Sequence, residues 1–292
     1  MVILDRFTLN LPLATSHNIT KWKVNDLFVL IVLVILNVFV YRIEPFQRQF
    51  LINDITLNHP FKDPQQVSDL DLFVYSLIIP IGIICFIVLL LANTQHRWYL
   101  LYISLLGQGM AFIATCLFSN FIKNYIGRCR PDFIVRCQPS MDALPNVYYR
   151  ADDICLNPDR SVVLEGYRTT PSGHSCESFA GLTFLSYWIA GQLIIWNNQL
   201  GIWRKIISWL PLLGASLIAL TRTQDYRHHF VDVIIGAIMG WFIAKHVYRL
   251  YFPSINSINC FKPLLDDSQV LTPQEALSHD MAQADEFQLE RR

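Results

Sequence analysis

Charge is scarce in this sequence, and neither sign leads. Asp, Glu, Lys and Arg make up 16% of the 292 residues, 23 acids against 23 bases, where a water-soluble domain carries about 25%. That balance excludes the basic surplus of a nucleic-acid binder and the acidic surplus of a solvating chain. No internal repeat or low-complexity run is present. No cleavable signal peptide is evident: a mostly polar segment precedes the first apolar block and no small-residue cleavage site follows it, so that block reads as a signal anchor.

What fills the space instead is apolar. Hydrophobic residues reach 53% and the mean hydropathy is +0.33, gathered in blocks rather than spread with an amphipathic period. About 20 apolar residues span a bilayer core as a helix. Six stretches approach that length: Asp26–Arg42, Leu72–Ala92, Trp98–Ile122, Phe179–Trp196, Trp203–Leu220 and Phe230–Val247. The fifth reaches it only if Arg204 and Lys205 snorkel at its end. These blocks predict an all-α integral membrane protein with six transmembrane helices. Residues 1–25 form an N-terminal cytosolic segment, 26–252 a six-span domain, and 253–292 an acidic, disordered tail with seven acids against three bases.

By parity, the loops after spans one, three and five share one side of the membrane. Basic residues divide almost evenly between the sides, so they do not orient the chain. Of the seven cysteines, Cys85 and Cys116 lie inside spans. Cys137 and Cys155 share the long third loop and form a disulfide if that loop faces an oxidising space.

Three polar stretches meet on that side, each at a span boundary. The first, KNYIGRCRP, runs from Lys123 to Pro131; alone, it is an interfacial basic anchor. The second, TTPSGHS, runs from Thr169 to Ser175, ahead of a helix that starts near Phe179 or a turn earlier. Its Ser172, Gly173 and His174 suit an anion site at a helix N-terminus, although alone they are an ordinary cap. The third, TRTQDYRHHFVD, runs from Thr221 to Asp232. Asp232 lies four residues after His228 and three after His229, so on a helix either ring shares its face. A carboxylate behind an imidazole fixes its tautomer and leaves the other nitrogen to attack; the spacing does not choose between the two histidines.

Together these residues supply fixed cations, a hydroxyl, a helix N-terminus and two histidines. That inventory suits a phosphoryl group, whose transfer depends on positioning and charge neutralisation. Arginines provide both without a metal. Two readings come from other classes. A metal-dependent hydrolase would use His174, His228, His229 and Asp232 as ligands and would be stopped by chelators. A transporter would line a pathway with intramembrane charge, yet few charges lie deep in the spans.

Lys123-x6-Arg130-Pro131, Pro171-Ser172-Gly173-His174 and Arg222-x5-His228-x3-Asp232, in that order, resemble the three-part signature of the type 2 phosphatidic acid phosphatase superfamily. Over most of the chain, stretches such as QRQFLIND, RTTPSGHSCESFAGL and FKPLLDDS are similar to the fungal diacylglycerol pyrophosphate phosphatases. The resemblance implies a six-helix membrane phosphatase of this type without a cofactor, acting on lipid phosphates held in the bilayer. It implies that His228 is the nucleophile, with Asp232 behind it and His174 as acid and base. Lys123, Arg130, Ser172, Gly173 and Arg222 then hold the phosphate. It also implies a vacuole membrane, a lumenal site and cytosolic termini, with a dolichyl-pyrophosphate or sugar-phosphate substrate as the alternative within the family. Thr221 departs from the pattern, which has serine there, and the thiols of Cys129 and Cys176 are atypical beside the motifs.

Overall fold

The computed structural model describes residues 17–197 and 201–267. Six long helices dominate it: α1 Val24–Arg42, α2 Asp69–Leu91, α3 Arg97–Ile126, α4 Gly173–Gln192, α5 Trp203–Gln224 and α6 Phe230–Tyr251. All but α4 are long and apolar enough to cross a membrane. At 20 residues α4 is also long enough, since a rise of about 1.5 Å per residue carries it through about 30 Å. Its lower hydropathy follows from its place. It packs against α6, α5, α3 and α2 and is buried along most of its length, so it has little surface to offer lipid. Its hydroxyls are satisfied by neighbouring carbonyls: Ser175 Oγ donates to Val233 at 2.7 Å and Ser186 Oγ to Ser208 at 2.6 Å. At the opposite extreme, α1 buries no residue and packs chiefly on α3, where Asn120 donates to Asn37 at 2.9 Å.

The boundaries follow local chemistry. Ser68 caps α2 and shares a reciprocal capping box with Asp71. Within α2, Pro80 lacks an amide hydrogen and crowds the carbonyl of Ser76. The helix widens into a π turn over Val74–Ile78, and Gln108 Nε2 donates to the Ser76 carbonyl at 3.2 Å. The fifth helix starts at Trp203 and thus includes Arg204, whose guanidinium bonds the Leu193 carbonyl at 2.9 Å and stacks on Trp203. The fourth helix departs most from expectation: it begins at Gly173, not near Phe179, because Ser172 itself is the N-cap.

The segments between α1 and α2 and between α3 and α4 form a cap over one end of the bundle. A two-residue ladder pairs Phe50 with Tyr149 and Leu51 with Tyr148, around a small core of Phe50, Phe133, Val163 and Tyr167. Cys137 and Cys155 are joined in a disulfide.

At the other end the chain does not run free from Pro253. Residues 253–267 fold back on the bundle: Cys260 is fully buried, Gln192 Nε2 donates to the Phe261 carbonyl at 2.9 Å, and Asp266 meets His96 at 3.0 Å. Lys21 reaches Asp267 at 2.6 Å. The acidic composition masks this anchoring, because only a short apolar stretch is buried, with Cys260 and Phe261 packed against Ile194. The rest of the expected tail and residues 1–16 lie outside the described residues.

Candidate active site

Two helix N-termini are pressed together to make the site. The Ser172 amide donates to the Asp232 carbonyl at 3.0 Å, tying the start of α4 to the first turn of α6. Further along, a Cβ on Gly240 would run into the Cys176 carbonyl, so glycine there permits the approach. The αL carbonyl-satisfying turn at Gly127 (φ 57°) ends α3 and sends Arg128 and Arg130 over the same junction. A cavity of about 630 Å³ results, lined by Lys123, Arg130, Gly173, His174, Arg222 and His228 among others. Of the eight site residues expected from sequence, these six face one space. Ser172 and Asp232 are fully buried behind it. Gly173 matters for its missing side chain: a Cβ there would occupy the place of Lys123 Nζ.

The two histidines are held in matching fashion. The Thr169 carbonyl lies 2.8 Å from His228 Nδ1. A carbonyl only accepts, so Nδ1 carries the proton and Nε2 keeps its lone pair. The Val67 carbonyl lies 3.0 Å from His174 Nε2, which fixes the opposite tautomer and leaves Nδ1 unprotonated. Burial above all, then the charges of Arg130 and Lys123 and neighbouring His174, hold the His228 imidazole well below its usual pKa. His228 is therefore neutral.

Asp232 does not bond His228, the pairing that the resemblance implied; it bonds His229, the other ring that the spacing left open. The N-cap of α6 is His229, in extended conformation, so His228 precedes the helix and the four-residue rule does not reach it. Asp232 caps its own helix instead: Oδ2 accepts from the His229 amide at 3.0 Å and from His229 Nδ1 at 3.1 Å. Its Oδ1 accepts from Thr170 Oγ1 at 2.6 Å and Arg128 at 3.1 Å. The link to His228 runs through Thr169, whose hydroxyl donates to Asp232 Oδ2 at 2.9 Å and lies 3.2 Å from His228 Nδ1.

The cations are braced by residues other than the eight expected from sequence. Arg130 is clamped by the carbonyl and carboxylate of Glu165, which also receives Arg168 at 3.3 Å. Together Arg130, Lys123 and Arg168 overcome the effect of burial and pull the Glu165 carboxyl below its usual range. Arg222 bonds Gln65 Oε1 at 2.8 Å and Asp225 at 3.2 Å. The Thr221 hydroxyl accepts from Nε and Nη2 of Arg222 at 3.0 and 2.8 Å, so threonine does here what serine's hydroxyl would. Asp225 is fixed by Gln66 at 2.8 and 2.9 Å and Lys62 at 2.9 Å. Cys129 packs in the cap core, where burial pushes its thiol to about 12, and Cys176 is buried beside α6. Both are packing residues.

Thr169, Thr170, Glu165 and the strap Lys62–Asp69 escape a reading by spacing. Nothing in their spacing marks them, since each acts by long-range approach. Among the described residues no three His, Cys, Asp or Glu side chains are grouped to hold a metal ion.

Residues 98–255 match the PAP2 superfamily model, and that stretch holds all eight expected site residues. This chain belongs to the PAP2 superfamily. It is 50% identical to Diacylglycerol pyrophosphate phosphatase 1 of Saccharomyces cerevisiae, over 91% of this chain and 92% of that one. It is 37% identical to Probable diacylglycerol pyrophosphate phosphatase 1 of Schizosaccharomyces pombe, over 82% and 85%. With Probable lipid phosphate phosphatase 4 of Arabidopsis thaliana it shares 31% over 82% and 78%. No solved structure matches the chain. The Gln65–Arg222 and Val67–His174 contacts tie the PAP2 region to a strap that the family model does not cover.

Proposed function

We propose that this integral membrane PAP2 phosphatase removes the β-phosphate of diacylglycerol pyrophosphate to give phosphatidate, and then dephosphorylates phosphatidate to diacylglycerol. The observation that carries the chemistry is the free Nε2 of a neutral, buried His228 opening on a cavity with Lys123, Arg130 and Arg222. The names of the fungal relatives support the substrate.

In the first half, His228 Nε2 attacks phosphorus in line. The P–N bond forms as the bond to the leaving oxygen breaks. Lys123, Arg130, Arg222 and the Gly173 amide neutralise the equatorial oxygens, with Ser172 capping the helix that presents that amide. His174 enters this half as the imidazolium and gives the leaving oxygen the proton on Nδ1, keeping Nε2–H on Val67. In the second half, neutral His174 takes a proton at Nδ1 from water, which attacks phosphorus and releases phosphate and His228. Asp232 acts through Thr169 and by capping α6. No cofactor enters these steps.

The disulfide in the cap supports an oxidising compartment on the active-site side. With parity, this supports cytosolic termini and a lumenal site, in a membrane that we assign to the vacuole. Protein quenched in acid-free denaturant after mixing with β-32P-labelled diacylglycerol pyrophosphate should carry an acid-labile, alkali-stable label. His228→Ala should carry none. A labelled His228→Ala protein would overturn the mechanism.

A further inference from the structure

The proposed reaction asks His174 to be protonated in the first half, yet most of the charge around its cavity is positive. Arg222 from α5, Lys123 from α3 and Arg130 from the cap line that cavity, and His228 lines it from just before α6. Glu177 follows one turn later on α4 and lines the same cavity. Only one carboxylate comes within ion-pair reach of the ring among the described residues: Asp69 Oδ1, 3.8 Å from His174 Nε2. Asp69 stands at the first turn of α2, where Ser68 is the cap and Asp71 completes the capping box, so the helix does not need its side chain. That side chain is 89% exposed and lines the cavity.

Building on the phosphatase reading above, we infer that Asp69 is a positioning residue for His174, a counter-ion that keeps the imidazolium available to protonate the leaving oxygen. The Val67 carbonyl orients Nε2–H and its bond favours the second proton. Asp69 adds a negative charge beside the same nitrogen and leaves Nδ1 to face the substrate.

The consequence differs between the two substrates. When phosphatidate is attacked, the bond that breaks leaves an alkoxide on diacylglycerol, a strong base that needs the Nδ1 proton. When the anhydride of diacylglycerol pyrophosphate is attacked, the leaving group is a phosphate oxygen, which departs without one. Asp69 therefore governs the second dephosphorylation more than the first.

The test compares wild type, Asp69→Asn and Asp69→Glu in detergent micelles, with both lipids, from pH 5 to pH 9. An exposed ion pair at this distance shifts a pKa by about one unit. Asp69→Asn is expected to move the alkaline limb of phosphatidate hydrolysis about one unit to the acid side. Its kcat should fall about tenfold along the alkaline limb, and the deficit should shrink as pH falls. Diacylglycerol pyrophosphate hydrolysis should change less than about threefold, Tm should hold, and Asp69→Glu should restore the limb. A loss equal at every pH and for both lipids, or no loss at all, overturns the inference. A wild-type protein that forms no phosphohistidine sinks the underlying reading instead, whatever Asp69→Asn does.

Discussion

Thr169→Val tests whether Asp232 reaches the nucleophile through a hydroxyl. The substitution deletes one oxygen from a fully buried, nearly isosteric residue and leaves the backbone carbonyl that holds His228 Nδ1 at 2.8 Å. What is lost is the 2.9 Å bond to Asp232 and the 3.2 Å approach to His228. A hydrogen bond to a charged group is worth about 1.5–3 kcal/mol, but Asp232 keeps four donors, from His229 twice, Thr170 and Arg128. We expect kcat to fall about tenfold, or about 1.4 kcal/mol, because the carbonyl still fixes the tautomer. Loss of tautomer control costs about 10⁴-fold where a carboxylate alone provides it. The assay is phosphate release from diacylglycerol pyrophosphate by purified protein, in a cycle with Asp232→Asn. If Asp232 acts through Thr169, the two effects on kcat overlap, with a coupling of about 1 kcal/mol. Additive effects, or a wild-type rate in Thr169→Val, would refute the relay.

His228→Ala should abolish turnover while His229→Ala retains activity within about tenfold, since His229 serves only to donate to Asp232; the reverse pattern, scored by phosphate release, would reassign the nucleophile. Because burial and cations lower the His228 pKa, His228 stays neutral as pH falls past the ordinary 6.5 and attack stops only below it. The acid limb of kcat/KM should thus have its midpoint under pH 6.5, and a midpoint above that value would contradict the burial. Reducing the Cys137–Cys155 bridge, which spans 18 residues, should lower stability by about 3 kcal/mol, visible as a drop in Tm. Gly240→Ala should drive a methyl into the Cys176 carbonyl and cost about 1–3 kcal/mol, with kcat falling alongside Tm as α4 and α6 part.

The spans and the cluster of chemistry at one face are legible in the sequence because both rest on local composition. Hydropathy blocks locate five helices within a few residues, and Arg130, Gly173, His174, Arg222 and His228 fall in motifs whose spacing survives folding. Asp232 shows where such reading stops. Its four-residue offset from His228 has meaning only on a helix, and the helix begins one residue too late. The start of α4 is missed for a related reason: Gly173 through Ser178 lack a greasy surface since the bundle, not lipid, covers them. Thr169, Glu165 and Gln65 act across 59, 35 and 157 residues of chain. No local pattern encodes such meetings.

The clasp between Lys21 and Asp267 joins positions 246 residues apart. In a chain made from its N-terminus onward, α1 enters the membrane long before Cys260 and Asp266 exist to settle beneath the bundle. The helices can assemble in order of synthesis, but this end of the bundle stays unlatched until residue 267 has been made, so closing that latch follows the synthesis of all six spans.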